Sequence, residues 1–155
     1  MQILLTGAGF LGTHAPFHSD LSLILILISA ILFTIGWRLA VGKRFGAHRW
    51  IQTTAVIVNT IAVLAVMIPA FILYILPGIP GKLLEGSYGV TTIHAIIGAI
   101  GLILGIFVVL RANGLVPQRL RFRNYKLFMR TSYILYMLAT VMGVIVYVAV
   151  YIYGI

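Results

Sequence analysis

The chain has 155 residues, of which 62% are hydrophobic, with 11 basic and 2 acidic side chains and a net charge of +9. With a mean hydropathy of +1.14, it has too little polar surface for a soluble domain, and the composition points to an integral membrane protein. It has no cysteine, which excludes disulfides, thiolate metal sites and cysteine nucleophiles.

Residues 1–20 read as a short external arm lying against the rest of the protein. They carry Gly7, Gly9 and Gly12 at the G-x-G-x-x-G spacing of a dinucleotide fingerprint. That chemistry needs a βαβ unit of about 30 residues with an acidic residue about 20 positions further on. Here Pro16 interrupts the candidate helix, Asp20 follows Gly12 by only eight residues, and an apolar span comes next. Nucleotide binding is rejected on those grounds. The segment also lacks the basic start and long apolar stretch of a signal peptide.

Four apolar runs follow, over residues 21–41, 50–75, 88–110 and 132–153. At about 1.5 Å per residue, about 20 residues cross a hydrocarbon core about 30 Å thick, so each run is long enough to span a bilayer as a helix. None alternates as the strands of a barrel do, and a helix satisfies its own backbone in lipid. The predicted fold is all-α, an integral membrane four-helix bundle of up-and-down topology, with one transmembrane domain over residues 21–155.

The connections assign the sides. Arg38, Lys43, Arg44 and Arg49 surround the first connection, and Arg111, Arg119, Arg121, Arg123, Lys126 and Arg130 fill the third, whereas the second has Lys82 beside Glu85. Basic residues are retained on the cytoplasmic side, so both chain ends are expected outside a prokaryotic cell membrane. Arg119, Arg121, Arg123 and Lys126 are assigned to the lipid interface. Attraction to anionic lipids then accounts for the net charge, and no nucleic acid partner is invoked. The second connection holds Pro77, Gly78, Pro80, Gly81 and Gly86, residues that favour a chain reversal. Pro69 lies inside the second span, where loss of a backbone donor predicts a kink toward the outer end.

The third span has the clearest pattern. Thr91, His94, Gly98, Gly101 and Gly105 recur at three or four residues, so one helical face carries an imidazole and three positions without side chains. One reading makes Gly98, Gly101 and Gly105 a helix-packing surface, with His94 hydrogen-bonded to a neighbour. The other makes His94 a ligand to a metal or to haem b, the glycines leaving room for a macrocycle. His14 and His18 of the arm are its candidate companions, with Asp20 orienting a ring or supplying oxygen. Both arm histidines also read as solvent-exposed. His48, at the opposite boundary, reads as an interfacial residue beside Arg49 and Trp50.

Thr53, Thr54, Asn59 and Thr60 are candidates for interhelical hydrogen bonds. Tyr133, Tyr136, Tyr147, Tyr151 and Tyr153 read as interfacial belts, with a cofactor-pocket role for Tyr136 and Met137 as the alternative. No carboxylate lies deep in a span, and there is no H-E-x-x-H motif, serine triad or paired carboxylate. No catalytic residue is therefore assigned.

The stretches "TIGWRLAVGKRFGAHRW", "YGVTTIHAIIGAIGLILGIFVVLRANG" and "NYKLFMRTSYILYMLATVMGVIVYVAVY" resemble a family of small four-span prokaryotic membrane proteins of unknown function, sometimes associated with haem-copper oxidase assembly. His48, His94, Gly143 and Tyr147 carry the resemblance, which covers residues 20–153. The chain departs from the family pattern at "YILPG" and at Asn124, where members often have histidine. Two functions are therefore expected. The first is a noncatalytic integral subunit of a larger respiratory or photosynthetic membrane complex, without a cofactor of its own and partnered by other integral membrane subunits. The second is a haem-binding electron-transfer or oxidase-assembly protein using His94.

Overall fold

The computed structural model describes residues 7–121 and 124–154, and four helices dominate it. They are α1 (Phe17–Val41), α2 (Phe45–Gly78), α3 (Gly86–Ala112) and α4 (Tyr125–Tyr151), all long and apolar enough to cross a membrane. The chain is a multi-pass membrane protein with an all-α four-helix architecture. Arginine 123, assigned above to the lipid interface, lies outside the described residues.

All four helices begin before the apolar runs that predict them, and α4 ends at Tyr151, two residues short of its run. Helix α1 begins at Phe17, with Pro16 as its N-cap. Proline at this point does not break the helix, because the first helical N–H groups have no intrahelical partner to lose. The arm is therefore confined to residues before Pro16, and Asp20 belongs to the first turn of α1. Helix α2 runs through Pro69 without ending there. The chain widens into π-helical turns at Val63–Met67 and Phe71–Ile75, on both sides of Ile68–Ala70. Wider turns accommodate the missing donor and the proline ring over a longer stretch than a single sharp kink would.

The helices pack as two hairpins, α1 with α2 and α3 with α4. At the end rich in arginine and lysine, hereafter the basic end, α1 and α2 are joined by three residues. Gly42, Lys43 and Arg44 donate their N–H groups back to Arg38, Ala40 and Leu39, and Lys43 takes a left-handed φ of 58°. Close approach within this hairpin occurs at Gly36, where an added Cβ would lie 2.5 Å from Gln52 Nε2. Gln52 donates to the Phe33 carbonyl at 3.2 Å and His48 Nδ1 meets the Gly36 carbonyl at 2.7 Å. A carbonyl only accepts, so the imidazole proton is on Nδ1. His48 thus joins two helices, whereas the exposed Arg49 and Trp50 beside it pair as cation and ring at 5.4 Å.

The two hairpins meet in a core formed by Phe33, Ala55, Val56 and Tyr136. Phe33 and Tyr136 stack with centroids 4.2 Å apart. Apolar burial gives little drive between helices already in lipid, so contact shape matters more here than in a soluble core. Glycine supplies the shape: a Cβ on Gly105 would lie 2.7 Å from the Tyr136 hydroxyl, and one on Gly101 would lie 3.3 Å from Leu135 Cβ.

Candidate functional site

Polar groups inside a bilayer need partners, and at the end where the arm lies the fully buried carboxylate of Asp20 needs them most. The arm turns back on itself there. Gly9 N–H donates to the Ala15 carbonyl at 3.1 Å and Phe17 N–H to the Gly7 carbonyl at 2.8 Å. The loop so formed wraps the Asp20 carboxylate, which is 0% exposed. Phe10 and Leu11 N–H groups donate to its Oδ2 at 2.6 and 2.7 Å, and the Tyr147 hydroxyl of α4 donates to Oδ1 at 2.6 Å. Because the single phenolic proton goes to the carboxylate, Thr13 must donate in its 2.7 Å contact with the Tyr147 oxygen. Ser19 extends the same clasp by donating to Tyr151 at 2.9 Å.

The glycine spacing in the arm acquires a physical meaning from this geometry. A Cβ on Gly9 would run into the Ala15 carbonyl oxygen and lie 2.5 Å from Asp20 Oδ2, and Gly12 has a left-handed φ of 74°. The loop is an anion-binding nest in which consecutive N–H groups converge on one oxygen. Its anion is the chain's own carboxylate. Asp20 is therefore an anchor for the arm, and the role of orienting a histidine ring or giving oxygen to a metal is corrected accordingly.

The four histidines have different surroundings. His14 is exposed in the arm. His18 is buried, with its ring stacked on Tyr74 of α2 at 5.4 Å, which overturns its reading as solvent-exposed. His48 is at the basic end. His94 faces α4, with Gly143 beneath its ring: a Cβ there would lie 3.2 Å from His94 Cε1 and 3.1 Å from Ile26 Cδ1. Ile26 follows His18 by two turns of α1, about 12 Å, so His18 and His94 lie at different depths. Among the described residues, no three His, Asp or Glu side chains converge as a metal site would require.

The His94 ring borders the Ala139 backbone, and its buried Nδ1 makes no hydrogen bond of good geometry. This lone nitrogen is the feature that most resembles a ligand. The space needed by a macrocycle is filled, however. Leu135 and Tyr136 occupy the volume over Gly101 and Gly105, and Ala139 Cβ would stand 3.9 Å from a Cβ on Gly98. The glycines bring α4 close to α3, and these residues do not fit a haem.

Two tyrosines assigned to interfacial belts are also corrected. Tyr136 is 5% exposed and Tyr147 is 7% exposed; one fills the core and the other completes the clasp on Asp20. Tyr133 stacks on Trp37 at 6.0 Å near the basic end, and Tyr153 is exposed beyond α4. Thr53 accepts from Asn113, the residue that caps the end of α3, at 3.1 Å, whereas Thr60 turns back to the Val56 carbonyl of its own helix. The pairings across the arm carry no short-range signature. Tyr147 is 127 positions from Asp20, and the only sequence hint is a carboxylate just outside a run of apolar residues that needs an acceptor's partners nearby.

Comparison with known proteins adds no family or neighbour: no family model, curated protein or solved structure matches this chain.

Proposed function

We propose that this chain is a noncatalytic integral subunit of a larger membrane complex, held in the prokaryotic cell membrane with both ends outside. The observation that carries the reading is the fate of Asp20. It is the one carboxylate in the four helices, and its oxygens are engaged by two backbone N–H groups and Tyr147. A side chain so occupied fastens an arm and two helices, and takes no part in proton relay or metal binding. His48 and Thr53 likewise join helices to one another. What such a bundle offers a neighbour is a fixed shape, and a respiratory or photosynthetic assembly is the class of complex that uses small scaffolding subunits of this kind. The basic end meets the cytoplasmic leaflet in this reading, by the retention of positive loops.

The rival reading, a haem-binding electron-transfer or oxidase-assembly protein, draws on the buried His94 Nδ1 without a hydrogen bond. It requires α4 to move off the glycine face of α3. Affinity purification of the full chain from its own membranes in mild detergent separates the two. A stoichiometric set of other integral subunits, lost when the bundle surface is disrupted and retained in His94→Gln, is expected. A monomeric chain carrying haem would contradict the subunit reading.

A further inference from the structure

An apolar groove of about 310 Å³ opens on the surface between α2 and α3, lined by Val56, Ile57 and Ile61 on one side and Ile106, Val109 and Leu110 on the other. Thr60 also borders it, but its hydroxyl is turned to the Val56 carbonyl at 2.7 Å, leaving a methyl group for the groove. A polar bridge closes the basic end: Asn113 Nδ2 donates to Thr53 Oγ1 at 3.1 Å, and Thr53 donates to the Arg49 carbonyl at 2.8 Å. From Thr53 to Ile61 is eight residues of helix, about 12 Å, which is less than half of a hydrocarbon core about 30 Å thick. A transmembrane helix from a partner would need a seam through both leaflets. A groove confined to one leaflet suits an acyl chain.

Charge at the mouth selects the headgroup. Arg49 is exposed and lies on the α2 face that carries Thr53 and Val56, one turn toward the basic end. Arg121 is exposed too, and its guanidinium is held by the carbonyls of Val116 at 2.9 Å and Gly114 at 3.3 Å. Gly114 directly follows Asn113 of the bridge. Arg49 is thus one helical turn from Thr53, and Arg121 is fastened to the residue that follows Asn113, so both arginines belong to the segments that form the polar bridge, each with donors suited to phosphate oxygens. A second groove, lined by Gly86, Ser87 and Val90 of α3 with Ile145 and Ala149 of α4, is similarly apolar. The connection before α3 at that end carries one cation, Lys82, against the two arginines next to the polar bridge of the α2–α3 groove.

We infer that the α2–α3 groove is a specific site for one anionic phospholipid, with an acyl chain between the helices and the phosphate on Arg49 and Arg121. The inference goes beyond general attraction of a basic surface to a charged leaflet, and it does not depend on the subunit reading. Trp50 reports on the site directly, because it lies on the face of Ile57 and Ile61, two turns from Ile57 toward the basic end.

The test uses the full chain with Trp37→Phe, which leaves Trp50 as the sole tryptophan, reconstituted in phosphatidylcholine vesicles. Trp50 quenching is titrated with phosphatidylglycerol brominated on its acyl chains, and separately with equally brominated phosphatidylcholine. Both leaflets have the same composition, so the result does not depend on orientation. The expected preference for the anionic lipid is roughly 5-fold per arginine. It should fall to near unity in Arg49→Gln/Arg121→Gln and persist in Arg38→Gln/Arg44→Gln, which removes equal charge from the same end. Filling the groove with Val109→Phe should weaken quenching by both lipids. Equal quenching by the two lipids in the parent, equal loss of preference in both double variants, or a Trp50 reached by neither lipid would overturn the inference.

Discussion

Helices α1 and α4 meet at two depths, and they adhere differently at each. Toward the basic end, Phe33 stacks on Tyr136 and the ring fits because Gly105 has no side chain. Toward the arm, Asp20 and Tyr147 join across the same pair of helices by a charged hydrogen bond. The first contact is defined by shape, the second by satisfied polarity. The difference follows from supply: the arm delivers the N–H groups of Phe10 and Leu11 to the carboxylate, and the Phe33–Tyr136 contact lies on the basic-end side of the arm's reach. Where lipid surrounds a helix, a polar contact is favourable only if each partner is complete, and otherwise close packing must serve.

Removing the anion should be the most damaging way to break this contrast. Asp20→Ala leaves the part-buried N–H groups of Phe10 and Leu11 and the Tyr147 hydroxyl without their shared acceptor, and hydrogen bonds to charged groups contribute about 1.5 to 3 kcal/mol each. A loss of about 3 kcal/mol is expected in denaturant titration of the protein in micelles, together with release of the arm, read as faster modification of a cysteine placed at Ala15, which is buried while the arm is docked. Tyr147→Phe keeps the two backbone donors paired. It should lose about 1 to 2 kcal/mol and leave the arm in place.

The shape-defined contact is tested by adding one carbon. Gly105→Ala forces a Cβ to within 2.7 Å of the Tyr136 hydroxyl, so it should destabilise by about 1 to 3 kcal/mol through overpacking. Gly98→Ala, whose new Cβ would find Ala139 at 3.9 Å, should change stability by less than about 0.5 kcal/mol, since surface-like contacts and helix propensity offset. Equal effects at the two positions would mean that the glycine face does not set the α3–α4 distance. The smallest expected effect lies outside both regions: Lys43→Gly relieves a left-handed residue in the α1–α2 turn and should stabilise by about 0.5 to 1 kcal/mol in the same titration.

The two regions were also unequally legible in the sequence. Hydropathy marks all four helices, and the spacing of Gly98, Gly101 and Gly105 marks a close helix contact, because both signals are local and periodic. The ends of the helices are less visible. Phe17 to Asp20 joins α1 because His18, Ser19 and Asp20 find partners on the arm, α2 and α4, none of which is near in sequence except the arm. Tyr136 and Tyr147 read as interfacial because an isolated tyrosine in a span most often is; their burial depends on Gly105 and Asp20, on other helices. The arm's glycine spacing matches a dinucleotide fingerprint that the missing βαβ unit rules out, and nothing local reveals that the glycines instead wrap a carboxylate of the same chain.

The proposed subunit role makes His94 a packing group between α3 and α4 and leaves it no metal to hold. The most direct measurement is the reduced-minus-oxidised absorption spectrum and metal content of the complex purified through this chain, compared between the native sequence and His94→Gln. Glutamine roughly keeps the volume of the ring but changes the donor strength at any metal centre. An identical spectrum and metal content in the two complexes is predicted. Loss of a haem band or of metal in His94→Gln, with the subunit composition intact, would contradict the account.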